Sequence, residues 1–316
     1  MKPASEYLVG GIPAAAAANW GEHTLTLRFA DVDFVFRGLS ESQRDVVAQR
    51  FAALVVPVPE SPGARPGADF APAAVGAFTP TPGTCWEYDL ALEFQLTHLD
   101  IAGPSFWARL MRQSCRAEVR TSLEDRFFIG VFENVFRIVS VYFLAQRDTL
   151  VLHSAGVAQG GLGYILFGRS GAGKTTSCEL LRDRQPGADE APHAILSDEL
   201  NAVDLRAVAP GVLLQPMPFA GDFGHDTLSS VPVPLARIYA LVQAPEARVG
   251  PCARAEALAR VVAACPFMNA DPFESDSVFE RAARLLGAVP LRKLYFPKDP
   301  SFWSAVAADV ESHAAA

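Results

Sequence analysis

No tract of lysine and arginine stands out in this 316-residue chain, and acidic residues outnumber basic ones, 35 to 27, for a formal charge of −8. That balance argues against nucleic acid or an anionic membrane surface as a partner. Cysteine is scarce: Cys85, Cys115, Cys178, Cys252 and Cys265 are odd in number, scattered, and never spaced C-x-x-C. Neither a disulfide framework nor a zinc site is expected, and reduced thiols suit a cytoplasmic location. No secretory leader is expected, because Met1 and Lys2 are followed by Glu6 and an alanine run rather than by an apolar stretch of roughly 7–15 residues. The most apolar long segment, residues 131–144, is broken by Glu133, Asn134 and Arg137. It falls short of the roughly 20 residues that cross a bilayer and is expected as a core helix. No repeat of solenoid period is present.

What remains is globular composition, 50% hydrophobic and 20% charged, in a chain long enough for two domains. Alternating residues predict one or two strands over 23–37, interrupted at 30–33, and a Ser-capped helix follows over 40–54. Residues 57–83 carry so much Pro, Gly and Ala that they are expected as loop. Strand-like runs return at 86–94, 116–121 and, less regularly, 126–132. Residues 1–130 thus read as an α+β accessory domain. From 131 the pattern changes to helices alternating with buried strands: a helix over 131–146, strands over 149–157 and 164–167, a helix over 174–184 and a strand over 194–203. Further on come a strand at 237–242, helices at 254–265 and 277–286, a strand at 291–295 and a final helix after Pro300. Residues 131–316 are expected to form an α/β core domain.

The chemistry concentrates in this second part. Gly168, Arg169, Ser170, Gly171, Ala172, Gly173, Lys174 and Thr175 match G-x-x-x-x-G-K-[ST] at every fixed position, between a predicted strand and a predicted helix. Glycines there let successive backbone N–H groups turn inward around phosphate, and the helix start adds its partial positive charge. Lys174 can reach the β- and γ-phosphates of ATP, Thr175 can place its hydroxyl on Mg²⁺, and Thr176 extends the nucleotide-binding segment. A chance match in a chain of this length is on the order of one in a hundred, so a mere Gly-rich turn is the weaker reading.

Two further elements point at the same place. Asp198 and Glu199 close a buried apolar run, where the carboxyl end of a strand would aim an acid at the phosphates. Side chains alternate along a strand, so both acids face the site only if the strand ends or bends there. Asp198 can hold Mg²⁺ or act as general base on an acceptor hydroxyl, with Glu199 taking the remaining role; an ordinary acidic turn is the plainer alternative. His153 stands 15 residues before Gly168 in a strand-like run, where a histidine is more often a hydrogen-bonded core residue than a catalyst.

His153, the P-loop 15 residues on, and an acidic pair 24 residues after Lys174 form an arrangement that resembles the catalytic domain of HPr kinase/phosphorylase. The resemblance covers about 185 residues, 131–316, and is closest to the divergent serine-kinase-like branch. Gln215, Pro216, Met217, Pro218, Phe219, Ala220, Gly221 and Asp222 are similar to that branch's Pro-Phe-Ser-Gly-Glu loop, and Pro300, Ser301, Phe302 and Trp303 to its ending. The resemblance implies a core related to phosphoenolpyruvate carboxykinase and ATP- and Mg²⁺-dependent phosphorylation of a serine on a peptide or small protein. His153 and one of the two acids would then lie near the transferred phosphate, Asp222 would be a second metal contact or an exposed loop acid, and self-association is one expectation. Glu199 departs from the family's usual aspartate pair, and the segment that supports phosphorylase activity is not recognisable, so kinase activity alone is implied. Two competing readings remain open: an ATP-binding regulatory or interaction module that transfers no phosphate, and a decarboxylase, which lacks visible additional metal ligands.

Overall fold

The computed structural model describes residues 4, 19–59, 65–73, 75, 90–123, 126–169, 171–185, 187, 190–206, 211–219 and 231–314. Among the described residues the chain is mixed α/β: seventeen strands in two mixed sheets, and six α-helices. It divides into two compact units, Met1–Phe143 and Leu144–Ala316.

The first unit is built on an eight-stranded sheet. Its strands are β1 (His23–Phe29), β2 (Val32–Leu39), β3 (Val55–Val56), β4 (Gly67–Pro72), β5 (Ala91–Phe94), β6 (His98–Gly103), β7 (Phe106–Met111) and β8 (Arg116–Thr121), in the order β3-β1-β2-β4-β8-β7-β6-β5. β1 and β2 form a hairpin through Ala30 and Asp31, both at positive φ, so the interruption is a two-residue turn and Asp33 belongs to the strand. The expected helix is α1 (Glu41–Arg50), closed by a capping box in which Ser40 Oγ accepts from the Gln43 amide and Gln43 Oε1 from the Ser40 amide.

Three expectations need correction here. Residues 57–83 are not all loop: β4 lies inside the sheet, parallel to both β2 and β8, with Phe70 fully buried. Its GADFAP sequence hides a strand because small residues suffice where backbone pairing and one Phe anchor supply the stability. Residues 126–132 form no strand; Phe128 opens α2 (Phe128–Gln146). And α2 packs chiefly with the first unit rather than opening the core domain. Phe132 and Phe136 on this helix contact Phe36 and Phe51, with ring centroids 4.5 to 5.8 Å apart, and Phe128 and Phe132 contact Phe70. Each buried Phe contributes about 1.5–3 kcal/mol, enough to draw the helix onto this sheet. By length and composition α2 could cross a membrane, but 83% of its apolar window is buried inside the protein, as in a core helix.

The second unit orders its strands β12-β10-β11-β15-β14-β13-β9, with β17 beside β15 and β16 beside β17. These are β9 (Thr149–His153), β10 (Ala155–Gln159), β11 (Leu162–Phe167), β12 (Ala194–Ser197), β13 (Leu200–Asp204), β14 (Leu213–Pro216), β15 (Val233–Gln243), β16 (Arg248–Pro251) and β17 (Leu291–Phe296). β15 runs parallel to β11 and β17, and most other pairs are antiparallel. Helices α3 (Lys174–Asp183), α4 (Arg254–Ala263), α5 (Ser275–Ala288) and α6 (Phe302–Ala314) complete it. α3 and α6 close one core, where Cys178, Leu181, Phe302, Trp303 and Val306 meet Tyr164, Leu166, Tyr239 and Phe296. Two runs expected as single strands are each broken in two, at Ser154 and at Asp198-Glu199, and these breaks build the site.

Candidate functional site

β10 is antiparallel to both of its neighbours, so β11 and β12 point the same way and end at the same edge of the sheet. β10 begins at that edge: Ala155 pairs with Leu166 near the end of β11, and Gly156 with Ser197, the last residue of β12. Three chain points therefore converge, namely the glycine-rich loop after β11, the Asp198-Glu199 turn after β12, and His153-Ser154 before β10. Strands about 4.8 Å apart bring segments distant in sequence within side-chain reach.

The described residues of the glycine-rich loop turn sharply into α3. Gly171 and Gly173 take φ of 74° and 111°, values that L side chains rarely adopt, and Gly173 caps α3 in the left-handed region. The Ala172 amide donates to the Arg169 carbonyl (3.0 Å), and Gln243, the last residue of β15, donates its side-chain amide to the Gly171 carbonyl (2.7 Å). Lys174 and Thr175 open α3, followed by Thr176. Arg169 is exposed, whereas Gly168 and residues 172–176 are half-buried.

Thr175 meets the acid turn directly. Its hydroxyl donates to Asp198 Oδ2 at 3.1 Å, and Asp198 is only 3% exposed. The turn is held from below by Ser197, whose Oγ accepts from the Glu199 and Leu200 amides (both 3.1 Å) and donates to the Phe219 carbonyl (2.8 Å). Glu199 is half-buried, and its carbonyl accepts from the Ser154 amide (3.0 Å). Asn201 ties the two strand breaks together: its side-chain amide donates to the Ser154 carbonyl (2.8 Å), to Ser154 Oγ (3.1 Å) and to the Ser197 carbonyl (3.3 Å). Gly156 makes room for it, since a Cβ there would lie 2.1 Å from Asn201 Oδ1.

His153 ends β9, paired with Leu200 across the sheet. Although the residue keeps an exposed surface, packing around the ring and the positive charge of Lys174 lower its pKa to about 4 against a smaller opposing pull from Asp198. The imidazole is therefore neutral at physiological pH. Desolvation likewise lowers the pKa of Lys174, with Asp198 acting in the opposite sense. His153, Lys174, Thr175 and Asp198 thus form one electrostatic group. No family model and no curated protein matches the chain.

Of the other residues singled out from the sequence, Ser170 and Asp222 lie outside the described residues. The loop leading toward Asp222 is described through Phe219, whose carbonyl is bonded by Ser197. Among the described residues no group of three or more His, Cys, Asp and Glu could hold a metal unaided. Sequence reasoning missed Ser154, Ser197, Asn201 and Gln243. A signal existed for Asn201, a polar residue alternating into the buried run of β13, but Gln243 becomes legible only once β15 is seen to end beside the P-loop.

Proposed function

We propose that the second unit is an ATP-dependent phosphotransferase that phosphorylates a serine hydroxyl on a peptide or small protein. The observation that carries the reading is the 3.1 Å contact between Thr175 Oγ1 and Asp198 Oδ2. Cis ligands of an octahedral Mg²⁺ at about 2.0–2.1 Å lie about 2.9 Å apart, so this hydroxyl and carboxylate are spaced to share one ion. Mg²⁺ characteristically takes one or two protein oxygens and completes its shell with phosphate and water, which suits a site without a three-ligand cluster. Bound together, Mg·ATP would supply the phosphoryl group and neutralise its charge.

In this reading the amides that open α3 and the Lys174 ammonium bind the β- and γ-phosphates. Thr175 and Asp198 would hold the metal, which would leave Glu199 and His153 to act on an incoming hydroxyl. Burial depresses His153 first and the charge of Lys174 second, and a triphosphate beside Lys174 would offset the second, so the imidazole would become a better proton acceptor in the loaded site. The order of parts, with the His, the glycine-rich loop and the acid turn on one sheet edge, supports a kinase of the HPr kinase-like type.

The test uses the full chain with Mg·ATP and the small proteins or peptides encoded beside it, read by intact mass for the gain of one phosphoryl group. Asp198→Asn is expected to retain ATP binding by calorimetry and to lose transfer about a hundredfold or more. Absence of Mg-dependent nucleotide binding would sink the proposal altogether. Transfer undiminished in Asp198→Asn would remove Asp198 from the chemistry, and tight ATP binding without transfer to any candidate would leave a nucleotide-responsive module.

A further inference from the structure

The second unit carries an exposed aromatic patch that leads to its site. Phe273 and Phe279 are 48% and 55% exposed. Phe273 closes the connection between α4 and α5, where its amide donates to Asp271 Oδ1 (3.0 Å), and Phe279 lies in the second turn of α5. Val278, Ala282 and Leu285 turn one face of α5 inward, whereas Asp276, Phe279 and Glu280, spaced i, i+3 and i+4, share the outer face. Two contacts tie the patch to the His153 edge. The His153 amide donates to the Ala264 carbonyl at the end of α4 (2.7 Å), so the connection starts beside the histidine. α5 packs along β9, and Asp148, immediately before that strand, pairs with Arg284 (2.7 Å) and Arg281 (3.9 Å) in the second half of the helix. The helix therefore runs back along β9, and its first turns lie toward the strand end that His153 occupies.

The charge around the two phenylalanines has one sign. Residues 266–280 contain Asp271, Glu274, Asp276 and Glu280 and no lysine or arginine. Asp271 is buried, Glu274 half-buried, and Asp276 and Glu280 are exposed. The bases that follow, Arg281 and Arg284, are turned to Asp148. Outside the described residues the second unit's sequence adds Asp189, Asp222 and Asp226 and no lysine or arginine, so nothing there offsets the acids. Exposed aromatics within an acidic rim form a contact surface for a partner that is both apolar and basic.

We propose that the outer face of α5 docks the acceptor of the phosphotransferase, through a segment that carries aliphatic and Lys/Arg residues beside the target serine. The inference rests on the phosphotransferase reading and adds the substrate class to it. Phe273 and Phe279 take the aliphatic side chains, Asp276 and Glu280 take the cations, and the α4–α5 connection leads from the dock to His153. Holding the acceptor away from the reacting atoms orients its hydroxyl without crowding the phosphates. A second copy of this chain fits the face less well, because each copy has a formal charge of −8 and would bring the same acidic rim.

The experiment measures fluorescence anisotropy of two fluorescein-labelled serine peptides, KLRSLKL and its charge-reversed counterpart ELESLEL, titrated with the full chain. KLRSLKL is expected to bind at least about tenfold more tightly. Phe279→Ser should weaken it about tenfold, and Asp276→Lys combined with Glu280→Lys should reverse the preference, with Tm unchanged because these side chains are exposed. Equal affinity for the two peptides, no binding of either at about 1 mM, or an unchanged preference in the charge-reversed variant would each overturn the proposal. So would a dimer in sedimentation that Phe279→Ser dissociates, which would assign the face to a second copy. Mg·ATP calorimetry on the same variants, expected to match the wild type, separates the two levels. Absent nucleotide binding strikes the phosphotransferase reading, whereas lost peptide preference beside intact nucleotide binding strikes the dock alone.

Discussion

Lys174 contributes in two ways that can be separated. In the proposed phosphotransferase its charge would hold the nucleotide, so Lys174→Met is expected to weaken Mg·ATP affinity by about 10- to 100-fold in calorimetry, the effect of one charged hydrogen bond. The same charge depresses His153. In imidazole NMR titrations His153 should therefore protonate near pH 4 in the wild type and at a higher pH in Lys174→Met. The sign for stability follows: with a folded pKa below the ordinary histidine value, the unfolded chain binds more protons, so His153's contribution is complete above about pH 6.5 and is lost as pH falls toward about 4. At this scale the turn between β11 and α3 was legible in the sequence because Gly171 and Gly173 mark positive φ and the helix pattern starts at Lys174. The choice between Asp198 and Glu199 was not legible, since it depends on where β12 stops, and a strand end is set by its partners. Ser197, which accepts from both amides of the turn, supplies that stop.

Elements were legible where local chemistry and tertiary packing agree. α1 carries its own start signal in Ser40 and Gln43, and Ser40→Ala should cost about 1 kcal/mol in urea denaturation, seen as a lower midpoint at unchanged slope. β17 and α5 follow from apolar spacing alone. β4 does not, because an Ala-, Gly- and Pro-containing strand is stabilised by the two neighbours that flank it, β2 and β8, and these come from opposite ends of the unit's sequence. The helix that closes this sheet is the more sensitive element. Phe132→Ala should destabilise the first unit by about 3–5 kcal/mol, a large share of the stability of a typical domain, measurable as early loss of its thermal transition. In the second unit, Asn201→Ala removes the amide that joins both strand breaks and should cost about 1–3 kcal/mol in chemical denaturation.

For the whole molecule, the proposed nucleotide site lies within the second unit. Saturating Mg·ATP, at about 100 times its Kd, should stabilise the second unit by about 2.7 kcal/mol, so in scanning calorimetry the transition that moves up with nucleotide should be the one that persists in Phe132→Ala. The division at Phe143 was not legible in the sequence, where the apolar run of α2 reads as the opening of the α/β part; only the phenylalanines of β2 and β4 reveal which sheet it serves. The paired breaks at Ser154 and Asp198 carry one more consequence. Because backbone bonds lock the two crossings to each other, the spacing of each turn works as a reading frame for side chains. Deleting one residue from β12 shifts the alternation by half a period and presents Glu199 where Asp198 now stands.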